Sequence, residues 1–388
     1  MADITTSIKE SPASICFAGN PIVYKVETSK GLGSDESFLR ILCNATFALN
    51  GAVDWYDGNM DFHVELSQPV ANHGTATFNL SDAAQTLIRS IQSSIDMNGD
   101  APLPAYGLVA DVEFKTVFVY DNQEVSTGEV RSSRIFIIPG ALTDFELVTT
   151  GGNSLADTLS QGRFMTRKPD GGILHKGELL ILPTVRYTKD VELNPTSTAN
   201  GMLVTGESYN QSASVIEHNE LDYQTIYPSS TAHDGDYMFT SDYGGSLSGY
   251  YRTNTNGVYF IRFINGFGAV ENISVRVKDK LSYEVSGETH SLVQDISVRP
   301  SDRRYATKAQ PVGVYELSSG YVPKRWAEWY VQELLTSPRV WIQLGGTWIP
   351  ALIEAEDDCV IYDRVKPEMP HVDFTLRLAI DGVTGITW

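Results

Sequence analysis

Apolar and polar residues alternate along most of the chain, and clusters of Gly, Pro, Asn and Asp interrupt the alternation. This is the pattern of half-buried strands joined by turns, because successive strand side chains point to opposite faces. Val112 and Phe114 alternate with Glu113 and Lys115, Ile273, Val275 and Val277 with Ser274, Arg276 and Lys278, and Phe374, Leu376 and Leu378 with Thr375, Arg377 and Ala379. Each set predicts one buried face and one wet face. Ile15-Cys16-Phe17 and Ile22–Val26 flank Gly19-Asn20-Pro21, two strands around a tight bend. A polar connection that begins at Asp121 is too long for a two-residue turn, and 131–138 supplies the returning strand. Gly345-Gly346-Thr347 between two strands predicts a bulged hairpin.

The period changes twice. Leu87, Ile88, Ile91 and Ile95 recur at the three-and-four spacing of one helical stripe, with Ser81 or Asp82 as the cap. Pro323 precedes a second helix whose Trp326, Trp329, Tyr330 and Leu334 share a face, and Ser337-Pro338 ends it. The fold class is therefore mostly β: multi-domain antiparallel β-sandwiches with two short amphipathic helices. At 388 residues the chain exceeds one ordinary core. Pro139-Gly140 and the turn-forming run Thr149–Ser154 divide it into an N-terminal sandwich with one helix (1–142) and a central β domain (143–305). A C-terminal helix-plus-β domain (306–388) follows.

Charge and cysteine usage narrow the function classes. With 48 Asp and Glu against 29 Lys and Arg, the net charge of −19 argues against nucleic acid as a partner. Cys16, Cys43 and Cys359 lack metal-site or disulfide-framework spacing and read as buried apolar side chains. No stretch is long and apolar enough to span a membrane as a helix, and residues 1–20 lack the pattern of an export signal. The expectation is synthesis and folding in the cytoplasm.

Candidate chemistry is sparse. Asp96–Asp100 opens like a calcium loop, but Ala101 and Gly107 stand where that loop needs glycine and glutamate. The acidic run Glu354, Glu356, Asp357, Asp358 and the cluster His233-Asp234-Gly235-Asp236 read as solvated turns. Gly266-Phe267-Gly268-Ala269-Val270-Glu271 begins like a dinucleotide fingerprint but carries glutamate at its third glycine position, and so reads as a sheet turn. Gly245–Gly249 has leucine where a nucleophile elbow has serine. These motifs predict no catalytic residue, cofactor or metal. Tyr223, Tyr227, Tyr237, Tyr243, Tyr250 and Tyr251 form the one candidate interaction surface, suited to a protein neighbour or to stacked sugar rings.

Several segments resemble tail proteins of tailed phages and prophages of Bacteroidota. They are Phe17–Ile22, Gly74–Ser81, Phe136–Gly140, Phe164–Pro169, Arg262–Gly268, Glu333–Val340 and Trp348-Ile349-Pro350, in an order that spans nearly the whole chain. The resemblance implies a non-catalytic virion subunit of the tail tip or baseplate, similar to distal tail proteins. It would be assembled in the host cytoplasm, in contact with copies of itself in a ring and with other tail proteins, with no membrane insertion. The alternative is a carbohydrate-binding or adhesive module using the tyrosines.

Overall fold

The computed structural model describes residues 4–13, 15–29, 36–50, 62–70, 74–92, 107–150, 161–186, 204–208, 220–228, 234–240, 246–291, 304–355 and 369–379. The chain is a multi-sheet β protein.

The N-terminal part holds β1 (Thr6–Glu10), β2 (Ile15–Phe17), β3 (Val23–Thr28), β4 (Glu36–Asn50), β5 (Phe62–Pro69) and β6 (Thr75–Asn79). Helix α1 (Ser81–Gln92), β7 (Gly107–Tyr120), β8 (Gln123–Arg131) and β9 (Ile135–Ile138) complete it. One sheet has the order β1-β3-β6 and the other β2-β9-β7-β4-β5, with β8 beside β7. The alternating residues of the two sheets meet: Tyr24, Val26 and Phe78 share one apolar cluster with Ile41, Phe47, Val112 and Phe114. Helix α1 adds Ala84 and Ile88 to this cluster with Leu87 packed against it, so the first half of its expected stripe faces the sandwich; the Ile91 side chain and Ile95 lie outside the described residues.

The β7–β8 connection is shorter than the sequence suggests. Tyr120 pairs with Gln123, so Asp121 and Asn122 alone make the turn, both left-handed at φ 50° and 59°. Pairing continues through polar, exposed positions that look like loop in the sequence. The span read as a single returning strand is divided: β8 ends at Arg131, and β9 pairs with the other end of β7. The same correction applies to Gly345-Gly346, where Leu344 pairs with Thr347 across a two-residue turn.

Past the sandwich, α2 (Asp144–Thr150) begins inside what the sequence presents as the approach to a linker. Thr143 caps it: the Glu146 amide donates to Thr143 Oγ1 and the Thr143 amide donates to Glu146 Oε2, a capping box. The central strands are β10 (Gln161–Phe164), β11 (Gly172–His175), β12 (Leu180–Arg186), β13 (Val204–Ser208), β14 (Glu220–Pro228), β15 (Gly235–Thr240) and β16 (Ser246–Arg252). They form the sheets β10-β12-β14-β13 and β11-β16-β15. Among the described strand pairs, β2 with β9 and β11 with β16 are parallel and the others are antiparallel.

The remaining strands, β17 (Val258–Ile264), β18 (Val270–Ser291), β19 (Arg304–Ser318), β20 (Val340–Leu344), β21 (Thr347–Ala355) and β22 (Asp373–Leu378), close a barrel in the order β17-β18-β19-β22-β21-β20. The boundary expected between residues 305 and 306 falls inside β19, so one barrel draws its strands from both sides of it. Helix α3 (Lys324–Trp329) runs into a π-helical turn, Tyr330–Leu334. Its Trp326, Trp329, Tyr330 and Leu334 join Ile261, Phe263, Ile273, Phe374 and Leu376 in the barrel's apolar cluster. Another cluster crosses the boundary near residue 142, with Phe17 and Ile138 from the sandwich, Met165 and Ile181 from the central part, and Phe267, Trp341 and Trp348 from the barrel. No helix among the described residues is long and apolar enough to cross a membrane.

Candidate functional site

The described tyrosines of the stretch do not share one surface. In β16, strand alternation sends Tyr250 and Tyr251 to opposite faces, so Tyr251 is fully buried while Tyr250 is exposed. Tyr237 is buried as well, against Gly249, where an added Cβ would overlap its ring. Tyr223 and Tyr227 lie on β14, and their side chains, like Tyr243, fall outside the described residues.

The polar residues that do converge sit where sandwich, central sheets and barrel meet. Arg167 is the hub. Its Nε and one terminal nitrogen donate to the two Glu146 oxygens at 2.8 and 2.7 Å, and the other terminal nitrogen donates to Glu333 Oε1 at 2.7 Å. It also donates to the Ala141 carbonyl at 2.9 Å and lies over the Phe267 ring at 3.9 Å. Glu146 reaches it from α2, and Glu333 from the π-helical turn. Glu333 accepts a second bond, from the Gly266 amide at 2.6 Å.

The segment with the dinucleotide-like spelling is the β17–β18 turn. Asn265 Oδ1 accepts from the Phe267 and Ala269 amides at 3.0 and 2.9 Å, and Asn265 Nδ2 donates to Met165 O and Glu271 Oε1. Gly268 is left-handed at φ 75°, and a Cβ there would strike Pro139. The glycines therefore allow close approach of two turns and cradle no phosphate. Glu271 is wholly buried, and desolvation pushes its carboxyl up to about 7 against the opposing pull of Lys168. Neighbouring Arg262, also fully buried, donates to Asn272 Oδ1 at 3.0 Å and stacks over Trp348 at 4.2 Å.

A second group, invisible in sequence because its members are about a hundred residues apart, joins β11 to β18. His175 Nδ1 and Ser274 Oγ lie 2.8 Å apart, and Glu178 Oε2 accepts from the His175 amide at 3.0 Å. Ser274, expected on a wet face, is buried because β11 covers that part of β18. A serine hydrolase base uses its two ring nitrogens for two partners, one for the nucleophile and one for the carboxylate. Here Ser274 and Glu178 both stand on the Nδ1 side, with Glu178 3.9 Å away. Burial, helped by Arg276 and Arg252, also holds the imidazole down to about 4, and burial raises the Glu178 carboxyl above its ordinary range. The site is desolvated and has Tyr237 and Tyr330 close to Glu178. Its chemistry is that of an internal hydrogen-bonded joint.

The other candidates are equally absorbed. Glu354 is paired with Arg377 at 2.9 Å, and Asp234 Oδ1 accepts from the Thr253 amide and hydroxyl at 2.7 Å. Residues 246–249 of the elbow-like motif run within β16. Burial pushes the Cys16 and Cys43 thiols up to about 12, which leaves them unreactive. Cys359, Asp96–Asp100, His233 and Glu356–Asp358 lie outside the described residues. Among the described residues, no group of three or more His, Cys, Asp or Glu could hold a metal. The surface does carry large apolar side chains that pattern reading passed over. Phe145 and Val148 of α2 are 77% and 83% exposed, and Tyr321, in edge contact with His371, is 70% exposed.

No family model matches the chain, and no curated protein matches it. Among solved structures, the crystal structure of Spo0M, a sporulation control protein from Bacillus subtilis, matches at 9% identity over 70% of this chain and 89% of that one, with a TM-score of 0.20. A likeness of that size carries no argument about fold or activity.

Proposed function

We propose that the chain is a non-catalytic structural subunit of a phage tail tip or baseplate, joining neighbouring tail parts. The observation that supports it best is the Arg167 junction. Buried polar residues that could have made an active site are spent on bonding three sheet assemblies into one another, which suits a part that must transmit load. The segment-by-segment resemblance to Bacteroidota phage tail proteins points the same way. Exposed Phe145, Val148 and Tyr321 give such a subunit apolar contact points for neighbours. A glycan-binding module would need its aromatic faces in solvent, and Tyr237 and Tyr251 are committed to the core.

Electron microscopy of phage particles labelled with an antibody to this chain tests the proposal. Label at the tail end is the expected result. Label confined to the bacterial envelope would replace it with an adhesin.

A further inference from the structure

The β17–β18 turn is where the barrel grips the sandwich. Its Gly266 carbonyl accepts from the Ala141 amide at 2.8 Å, Gly268 lies against Pro139, and Phe267 packs on Phe17 with ring centroids 5.9 Å apart. Asn265 holds the turn in shape, its Oδ1 accepting from the Phe267 and Ala269 amides and its Nδ2 donating to Met165 O and to Glu271 Oε1 at 2.5 Å. Three carboxyls, Glu146, Glu271 and Glu333, lie around this joint with two cations, Arg167 and Lys168. Arg167 is committed to Glu146 and Glu333, and Lys168 Nζ donates to the Asn272 carbonyl at 2.9 Å. Of these five groups, one carboxyl is left unmatched, and Glu271 is the one bonded to the residue that shapes the turn.

We propose that Glu271 is a proton-operated latch on the joint between sandwich and barrel. With its carboxyl protonated, the β17–β18 turn stays closed on residues 139–141; with the proton gone, the turn loosens and lets them part. Burial governs the carboxyl and favours its neutral form, Lys168 and the hydrogen bonds from Asn265 and Thr166 oppose burial, and Glu333 adds to it. Arg262 on β17 is no counter-ion, because it pairs with Asn272 and strand alternation turns it to the opposite face, towards Asn272 Oδ1 and Trp348. A charged Glu271 would therefore sit desolvated beside Glu333, and an ion in that position is relieved only by water. Water reaches it by opening the turn, which releases Asn265 and with it the amides of Phe267 and Ala269. In the open state the carboxyl returns to about 4.3, whereas in the closed state it stays near 7. Between those values the open state holds fewer protons, so rising pH favours opening, and above about 7 the two states no longer differ.

Amide hydrogen exchange of the full chain across this range tests the latch, once the intrinsic pH dependence of exchange is divided out. The amides of Ala141, Gly266, Phe267 and Ala269 report the joint, and those of the β4–β7 pairing report the sandwich core. Protection at the joint should fall by up to about tenfold per pH unit from about pH 5 and level off above about 7, while the β4–β7 amides keep theirs. Glu271→Gln preserves the Oε1 acceptor without the charge, and it should hold the joint closed and flat across the range. Lys168→Met removes the cation that favours the carboxylate, so the fall should continue to higher pH before it levels off. A flat wild-type joint, a slope that persists in Glu271→Gln, or a level-off unmoved in Lys168→Met overturns the proposal. Equal losses at the joint and at β4–β7 overturn it as well, since they would mark unfolding of the whole rather than release of one contact.

Discussion

Two buried titratable residues give the protein opposing responses to pH. Glu271 is pushed up to about 7, above the value of about 4.3 for an unfolded chain. Its contribution to stability is present below the unfolded value and is lost as pH rises through about 7. His175 is held down to about 4, below about 6.5 when unfolded, so its contribution is present above the unfolded value and is lost as pH falls through about 4. Between about pH 5 and about pH 7 the two slopes oppose one another, and the wild type should show a shallow profile. Glu271→Gln should leave the histidine slope, with melting temperature rising with pH. His175→Gln should leave the glutamate slope, falling with pH. Each swing is on the order of 1–3 kcal/mol. Thermal melts across that range read both, and parallel profiles for the two variants would refute the assignment.

At the scale of elements, the turns decide where strands end. Asp121 and Asn122 occupy the left-handed region, which β-branched side chains resist and Asn and Gly accept. Asn122→Val should lower stability by ~1–2 kcal/mol in urea unfolding, whereas Asn122→Gly should be neutral or slightly stabilising. Equal effects of the two substitutions would mean that the turn is not the two-residue mirror-image type. The sequence pattern suggests a longer connection because Gln123 and Thr127 are polar, and polarity resembles loop although an exposed paired strand is polar too. Helix α3 was the opposite case. Its four large apolar residues at helical spacing could satisfy only a buried face, and all four are buried.

Across the whole molecule, Arg167 links elements far apart in sequence, and its loss should be felt as a loss of cooperativity. Truncation would strand Glu333, which is only 3% exposed, in a site from which water is excluded. Breaking a buried pair in this way costs about 3–5 kcal/mol. Arg167→Ala should therefore lower the calorimetric melting temperature and split a single transition into separate sandwich and barrel transitions. Arg167→Lys should rescue little, because a single ammonium cannot span Glu146, Glu333 and Ala141 O together. A single, unshifted transition in Arg167→Ala would show that the apolar cluster around Phe267 holds the assemblies by itself.

By itself the sequence determined that strands would dominate, which faces of β7 and β22 would be buried and where α1 and α3 would lie. These follow from periods of two and 3.6 that neighbouring residues impose on each other. Tertiary structure alone decided the closing of the barrel across residue 305, the opposite fates of Tyr250 and Tyr251, and the meeting of Arg167 with Glu146 and Glu333. The same is true of the burial of Ser274 under β11. Each of these depends on which strand lies beside which, and residues a hundred positions apart carry no periodic sign that they will touch.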